Sequence, residues 1–473
     1  VSMSIGSKVS RWTMVHFGCA ITALLAAEVL LVAGYADPLA GLRAPATLAG
    51  VHLITIGWLS LLMLGALYQF VPVITNTTLY SQRLPLYSLL AIAPGLVAML
   101  AGFVALGGTP FLATVWLPIG GSLVLTGFVL GAINLAATLW RARPLPLPAD
   151  FVAFSLVFLL LTGLIGLGFA LAFALPRPPA FLLDLTGRGL SLHVAVGLGG
   201  WFTLTVMGVS YRLLSMFMLA PDEPRRSTYA ALVLTVGGLT LLVAGGLAGL
   251  WGGMAVGWVE ALGATLAGLG VICYLADIIE FYRARKRRQL ELNSVTAAAA
   301  LTLIALALVL AALAMAWGVL GRFAGAIGYL FVFGGLSGLG LSQLYKIVPF
   351  LTWLEVFGKR LGKGPVPRVQ DLVNERRARP GFALYFAATV LASAALACAQ
   401  PVLWKIAAAL QLVATVLITI ELWRARHPDP NTKSSLVRPP GMPSPPGKPK
   451  TPSPMAAAAA TLASSPSHPI QGE

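Results

Sequence analysis

Apolar stretches of twenty residues or more follow one another along nearly the whole chain, parted by short segments where Gly, Pro, Asp, Lys and Arg collect. A helix rising about 1.5 Å per residue needs roughly 20 such residues to cross a hydrocarbon core. The pattern predicts twelve spans, near 13–35, 48–75, 85–106, 112–140, 150–175, 188–217, 228–250, 254–281, 294–320, 323–352, 380–399 and 402–423. The expected fold is an all-α membrane protein, with residues 1–424 as one membrane domain. Residues 425–473, rich in Pro, Ser, Ala and Lys, lack a hydrophobic face and read as a disordered tail.

Composition agrees with that reading. Of 473 residues, 58% are hydrophobic and 10% charged, where a soluble chain carries about a quarter charged residues. The net charge of +16 would suit nucleic acid, but the positions of the charges exclude that partner. With both termini cytoplasmic, 25 Lys and Arg fall on cytoplasmic segments and 5 on the other side. That is the positive-inside bias of a bacterial cytoplasmic (inner) membrane protein. The basic runs RARKRRQ (283–289) and GKRLGKGPVPRVQDLVNERRARP (358–380) are expected to meet anionic membrane lipid, or, for the second, a protein partner. The first span is too long for a signal-peptide core and reads as an anchor. Cys19, Cys273 and Cys398 lie far apart within spans, with neither disulfide nor zinc spacing.

Three segments align without gaps: GWLSLLMLGALYQFVPV from Gly57, GWFTLTVMGVSYRLLSM from Gly200 and GGLSGLGLSQLYKIVPF from Gly334. The alignment superposes Tyr68, Tyr211 and Tyr345, each followed by Gln69, Arg212 or Lys346. Small residues are common where membrane helices pack, but chance enrichment does not produce three matches on spans two, six and ten. Four spans separate successive copies, so the three helices run in the same direction. They are expected to form the inner ring of three quasi-threefold four-helix arcs.

Twelve spans in such arcs, with special residues on spans two, six and ten, resemble subunit I of the haem-copper oxidases. The segments HVAVGLGGWFTLTVMGVSYRLLSMF and LSGLGLSQLYKIVPFLTW are more similar to a divergent branch of that superfamily, around the NnrS nitric-oxide-response group. The resemblance covers residues 10–424 and implies b-type haem, with copper as a second cofactor. His52 matches the outer-end position on span two that ligates low-spin haem in oxidases, and His193 lies on span six, where they carry a copper ligand. The resemblance fails at the oxygen-reducing centre. Span seven (STYAALVLTVGGLTLLVAGG) and span ten (FAGAIGYLFVFGGLSGLGL) contain none of the histidines that centre requires. The loop CAQPV between spans eleven and twelve lacks the arginine pair that holds haem propionates. Dioxygen reduction is therefore not expected.

The residues have bland readings too. An imidazole within a membrane is costly and suggests a site, but one near the interface also hydrogen-bonds to a neighbouring carbonyl. His52 stands 16 residues before its tyrosine and His193 stands 18 before. Two residues turn a helix by about 200°, so the two rings are not expected to point alike toward the threefold axis. His16 and Cys19, three apart on span one, could share a soft metal or simply pack. Tyr329, in register with His52, is a haem-ligand candidate or an aromatic packing residue. Arg212 and Lys346 are expected to snorkel to head groups. Otherwise they would form, with Gln69 and the tyrosines, a basic ring lining a central cavity. Glu28 and Glu260, both placed in mid-span, mark a proton or cation path or are hydrogen-bonded acids.

Three functions follow as expectations. The first is a haem-binding membrane protein that binds or responds to a diatomic gas such as nitric oxide, or handles metal or haem, without being an oxygen reductase. The second is a small-molecule or ion transporter working through the central cavity. The third is a structural subunit of a respiratory complex, with protein or redox partners.

Overall fold

The computed structural model describes residues 6–221, 223–252, 257–358 and 366–428. Among the described residues the secondary structure is helical, and twelve helices are long and apolar enough to cross a membrane. They are α1 (Trp12–Val32), α2 (Pro45–Thr75), α3 (Leu84–Leu106), α4 (Pro110–Arg141), α5 (Leu147–Ala174), α6 (Leu190–Met218), α7 (Arg226–Trp251), α8 (Gly257–Arg283), α9 (Leu292–Ala316), α10 (Leu320–Val356), α11 (Glu375–Ala397) and α12 (Pro401–Arg426). The protein is thus a multi-pass membrane protein. The tail beyond residue 428 and part of the second basic run, 359–365, lie outside the described residues.

Local sequence sets many of the boundaries. Pro45, Pro85, Pro110 and Pro401 stand in the first turn of their helices, where the missing N–H is not needed. The repeat helices α2 and α6 end alike, on Asn76 and Leu219, which have positive φ of 51° and 53° and occupy equivalent repeat positions. The following residues, Thr77 and Ala220, donate their N–H to Pro72 and Ser215 and so close the last turn.

The packing follows the repeat. Within each set of four, the first span lies against the repeat helix, and the third and fourth spans form a close hairpin. Glycine allows that closeness: a Cβ on Gly120 would stand 2.5 Å from the Met99 backbone nitrogen. In the next hairpin, one on Gly238 would stand 2.4 Å from the Ala267 nitrogen. Helix α12 returns to α1 and closes the ring. The repeat helices are the most enclosed, with 78%, 61% and 61% of their most apolar stretches buried against 28–50% in the other nine. They form the inner ring.

Glu260 departs from its sequence placement. Helix α8 starts at Gly257, so Glu260 lies in the first turn and keeps accessible surface. Its charge there meets the positive end of the helix dipole rather than the membrane centre.

Candidate functional site

All three inner helices carry a π-helical segment: Leu53–Ser60, Ala195–Thr203 and Leu330–Ser337. In repeat register the three segments coincide, ending three residues after Gly57, Gly200 and Gly334. Widened turns leave carbonyls within reach of side chains further along. Ser60 donates to the Thr55 carbonyl (2.8 Å) and Thr203 to that of Leu198 (2.7 Å), each five residues back. Such distortions are rare and cluster at functional sites.

The same segments lock the inner helices together. Trp58 Nε1 donates to Ser337 Oγ at 2.9 Å, joining α2 to α10, and Trp201 Nε1 donates to Ser60 Oγ at 3.1 Å, joining α6 to α2. The donors are repeat equivalents, as are the acceptors. At the third donor position stands Gly335, so the cyclic pattern remains open between α10 and α6.

On the N-terminal side of this belt, His52 of α2 and His193 of α6 meet. Their ring centres are 6.4 Å apart and their planes lie within 26°. Phe103 of α3 packs on His52 at 4.8 Å, and Phe169 of α5 packs edge-on to His193 at 5.5 Å. The pair therefore occupies the compartment between α2 and α6, flanked by α3 and α5, rather than the threefold axis. This reverses the weight of the register argument. Two parallel helices related by rotation face a shared lateral compartment from opposite sides, which requires positions about half a turn apart. The two-residue offset, about 200°, supplies that rotation.

The two imidazoles are held differently. His52 Nδ1 donates to the Leu48 carbonyl at 2.8 Å, because a carbonyl can only accept, and Nε2 is left with its lone pair. His193 Nδ1 is buried without a hydrogen-bond partner, although the Thr162 backbone lies beside it. Both residues are partly buried. Gly166 of α5 lets that helix lie close to His193: a Cβ there would stand 3.3 Å from His193 Cε1.

Two histidines alone restrict what could be held. Among the described residues no group of three His, Cys, Asp or Glu side chains converges as metal ligands. A zinc site of the ordinary kind, with three or four protein ligands, is not built here, and a copper ion would find only two imidazoles. A haem brings its own equatorial nitrogens and needs axial ligands alone. With metal–nitrogen bonds of about 2.0–2.1 Å, two imidazoles opposite each other on one metal have ring centres roughly 6 Å apart. The separation of the pair matches that distance, and Phe103 and Phe169 supply apolar walls.

The remaining candidates are dispersed. His16 is fully buried, donates Nδ1–H to the Trp12 carbonyl (2.8 Å) and meets the Tyr68 ring edge at 5.4 Å, while Cys19 is only half buried. The three repeat tyrosines turn away from the axis into their own arcs. Tyr68 reaches α4, its hydroxyl 2.8 Å from where a Gly131 Cβ would stand. Tyr211 bonds Asp277 of α8 (2.9 Å), and Tyr345 packs edge-on to Phe382 of α11 at 5.6 Å. Lys346 pairs with Glu291, which also receives Arg287 and Gln370. The space between the inner helices is a cavity of about 70 Å³ walled chiefly by apolar residues such as Met63, Phe70, Val206 and Leu339. Its lining includes none of Tyr68, Gln69, Tyr211, Arg212, Tyr345 or Lys346.

Sequence reading overlooked Asp277. It is 3% exposed and accepts from Ser227 on Oδ1 and from Tyr211 and Thr228 on Oδ2. An acidic residue in the last third of an apolar run was the available signal. Tyr329 is also committed elsewhere, donating to Gln411 Oε1 at 2.9 Å.

The chain matches no family model, and no curated protein matches it.

Proposed function

We propose that this protein is a haem-binding integral membrane protein in which His52 and His193 would hold a b-type haem. The single observation that carries the reading is the facing pair of imidazoles, 6.4 Å apart, from two inner helices. The bound group would supply one-electron chemistry or a binding place for a small gas. The chain supplies the rest: two nitrogen donors, aromatic walls from Phe103 and Phe169, and exclusion of water by the surrounding spans. The Leu48 carbonyl fixes the orientation of His52 and raises its basicity, as outer hydrogen bonds do for metal-bound imidazoles.

The resemblance to the oxidase superfamily and its nitric-oxide-response branch supports this reading and adds a diatomic gas as the expected ligand. The excess of Lys and Arg on one side supports cytoplasmic termini in a bacterial inner membrane. The missing histidines on α7 and α10 argue against oxygen reduction.

The test is an absorption spectrum, oxidised and reduced, of the detergent-purified protein produced with ample haem, repeated for His52→Ala and His193→Ala and accompanied by metal analysis. The expected result is a b-type spectrum abolished in the first variant and abolished or altered in the second. A colourless, correctly folded wild type would overturn the reading. Copper in place of iron would redirect it to a copper site on the same two rings.

A further inference from the structure

The compartment between α10 and α1, walled by α11 and α12, holds a second set of polar groups. Glu28 of α1 is 1% exposed. Its Oε1 accepts from Gln411 Nε2 (3.1 Å) and Thr415 Oγ1 (2.9 Å) of α12. Gln411 Oε1 in turn accepts from Tyr329 of α10 (2.9 Å) and Thr389 of α11 (3.1 Å). Glu28 Oε2, equally buried, has no partner.

We propose that Glu28 is an intramembrane proton-binding site, a carboxylic acid that carries its proton on Oε2 at neutral pH and releases it reversibly. The asymmetry of its surroundings is the argument. An ionised carboxylate has two equivalent oxygens that both seek donors, whereas a neutral acid has one accepting and one protonated oxygen. Glu28 meets the second pattern, with two donors on one oxygen and none on the other. Asp277 meets the first, with hydroxyls on both oxygens. Glu421 is the third buried carboxyl group and is met by Arg377 and Arg424. Of the buried carboxylate oxygens among the described residues, only Glu28 Oε2 is unpartnered.

Among the described residues no Lys, Arg or His forms an ion pair with Glu28. The titratable groups near Glu28 are Tyr329 of α10 and Tyr385 of α11, whose hydroxyls donate to Gln411 and to the Phe333 carbonyl. The cation nearest along α12 is Lys405, which lies beside Gly34 at the helix ends. It is six residues before Gln411, about 9 Å along the axis. An unpaired charge in such a place is costly enough that the group takes up a proton instead. The fixed donor set holds the acid in one orientation, so that proton gain and loss occur at a single oxygen. This site shares no residue with the histidine pair.

Infrared spectra of the full chain in lipid nanodiscs, compared with Glu28→Gln, test the proposal. The expected result is a protonated-carboxyl C=O band present at neutral pH, lost in the variant, and reversibly removed as the pH is raised. No band difference at neutral pH, or loss of the band on adding sodium at constant pH, would overturn it. Thr415→Val provides a second reading should Glu28→Gln fail to fold. Removing that donor from Oε1 should shift the band to higher frequency, and an unshifted band would assign it to another residue.

Discussion

Trp58 and Ser337 are 279 residues apart in sequence and joined by one buried hydrogen bond of 2.9 Å, indole to hydroxyl, across the π-helical segments of α2 and α10. The repeat-equivalent bond from Trp201 to Ser60 joins α6 to α2. Together they hold the widened turns at a common level, on the C-terminal side of the histidine pair.

Ser337→Ala should lower the stability of the detergent-solubilised protein by about 0.6–1.7 kcal/mol, the average and upper values for hydrogen bonds between membrane helices. Gly335→Ala should cost about 1–3 kcal/mol by overpacking, since its Cβ would stand 2.4 Å from Ile304 Cγ1. Thermal unfolding followed by circular dichroism reads both. An unchanged midpoint for Gly335→Ala would show that α9 yields freely.

Under the proposed function, Gly166→Val should weaken haem binding without unfolding the bundle. Its Cβ would stand 3.3 Å from His193 Cε1, and the added methyls would press on the ring. The expectation is a haem content reduced several-fold at unchanged helicity. Full haem content in this variant would place the group elsewhere.

Asp277→Asn removes a charge that three hydroxyls converge on, while keeping the size of the side chain. Hydrogen bonds to charged groups contribute about 1.5–3 kcal/mol each, so a loss of at least about 2 kcal/mol is expected by the same unfolding measurement. Tyr211→Phe should lose part of it. If Asp277→Asn were as stable as wild type, the three hydroxyl contacts would not contribute to stability.

At the N-terminal end of α9, just outside the span, Glu291 sets an acid limit to stability. Burial pushes its carboxyl up, but the hydrogen bond and charge of Lys346, the bond from Gln370 and the charge of Arg287 together bring it below its ordinary value of 4.5. A depressed value in the folded state means a contribution fully present above pH 4.5 and lost as the pH falls below that, through the folded value. The unfolding midpoint of wild type should therefore fall on acidification more steeply than that of Glu291→Gln. Parallel curves would show that the ion pairs do not contribute.

The histidine pair shows what a register argument can and cannot deliver. Both residues were legible as intramembrane imidazoles, and so was their two-residue offset. Whether that offset separates them or brings them together depends on where the shared space lies, at the axis or between neighbouring helices. The tyrosines posed the same difficulty: three aligned positions were visible, but their direction, into the outer arcs at Gly131, Asp277 and Phe382, was not. Asp277 passed unnoticed because its partners, Tyr211, Ser227 and Thr228, come from two other spans.

The sequence by itself determined the twelve spans and the three that form the inner ring. Apolar run length is a local property, and an ungapped repeat needs no contact to be seen. Only the tertiary structure decided that His52 meets His193 and that Glu28 has one oxygen satisfied and one bare. It also sent Lys346 to Glu291 rather than to the central cavity. Each of these depends on helix rotation and on the turns widened in three places, quantities that side-chain packing fixes between segments far apart in the chain.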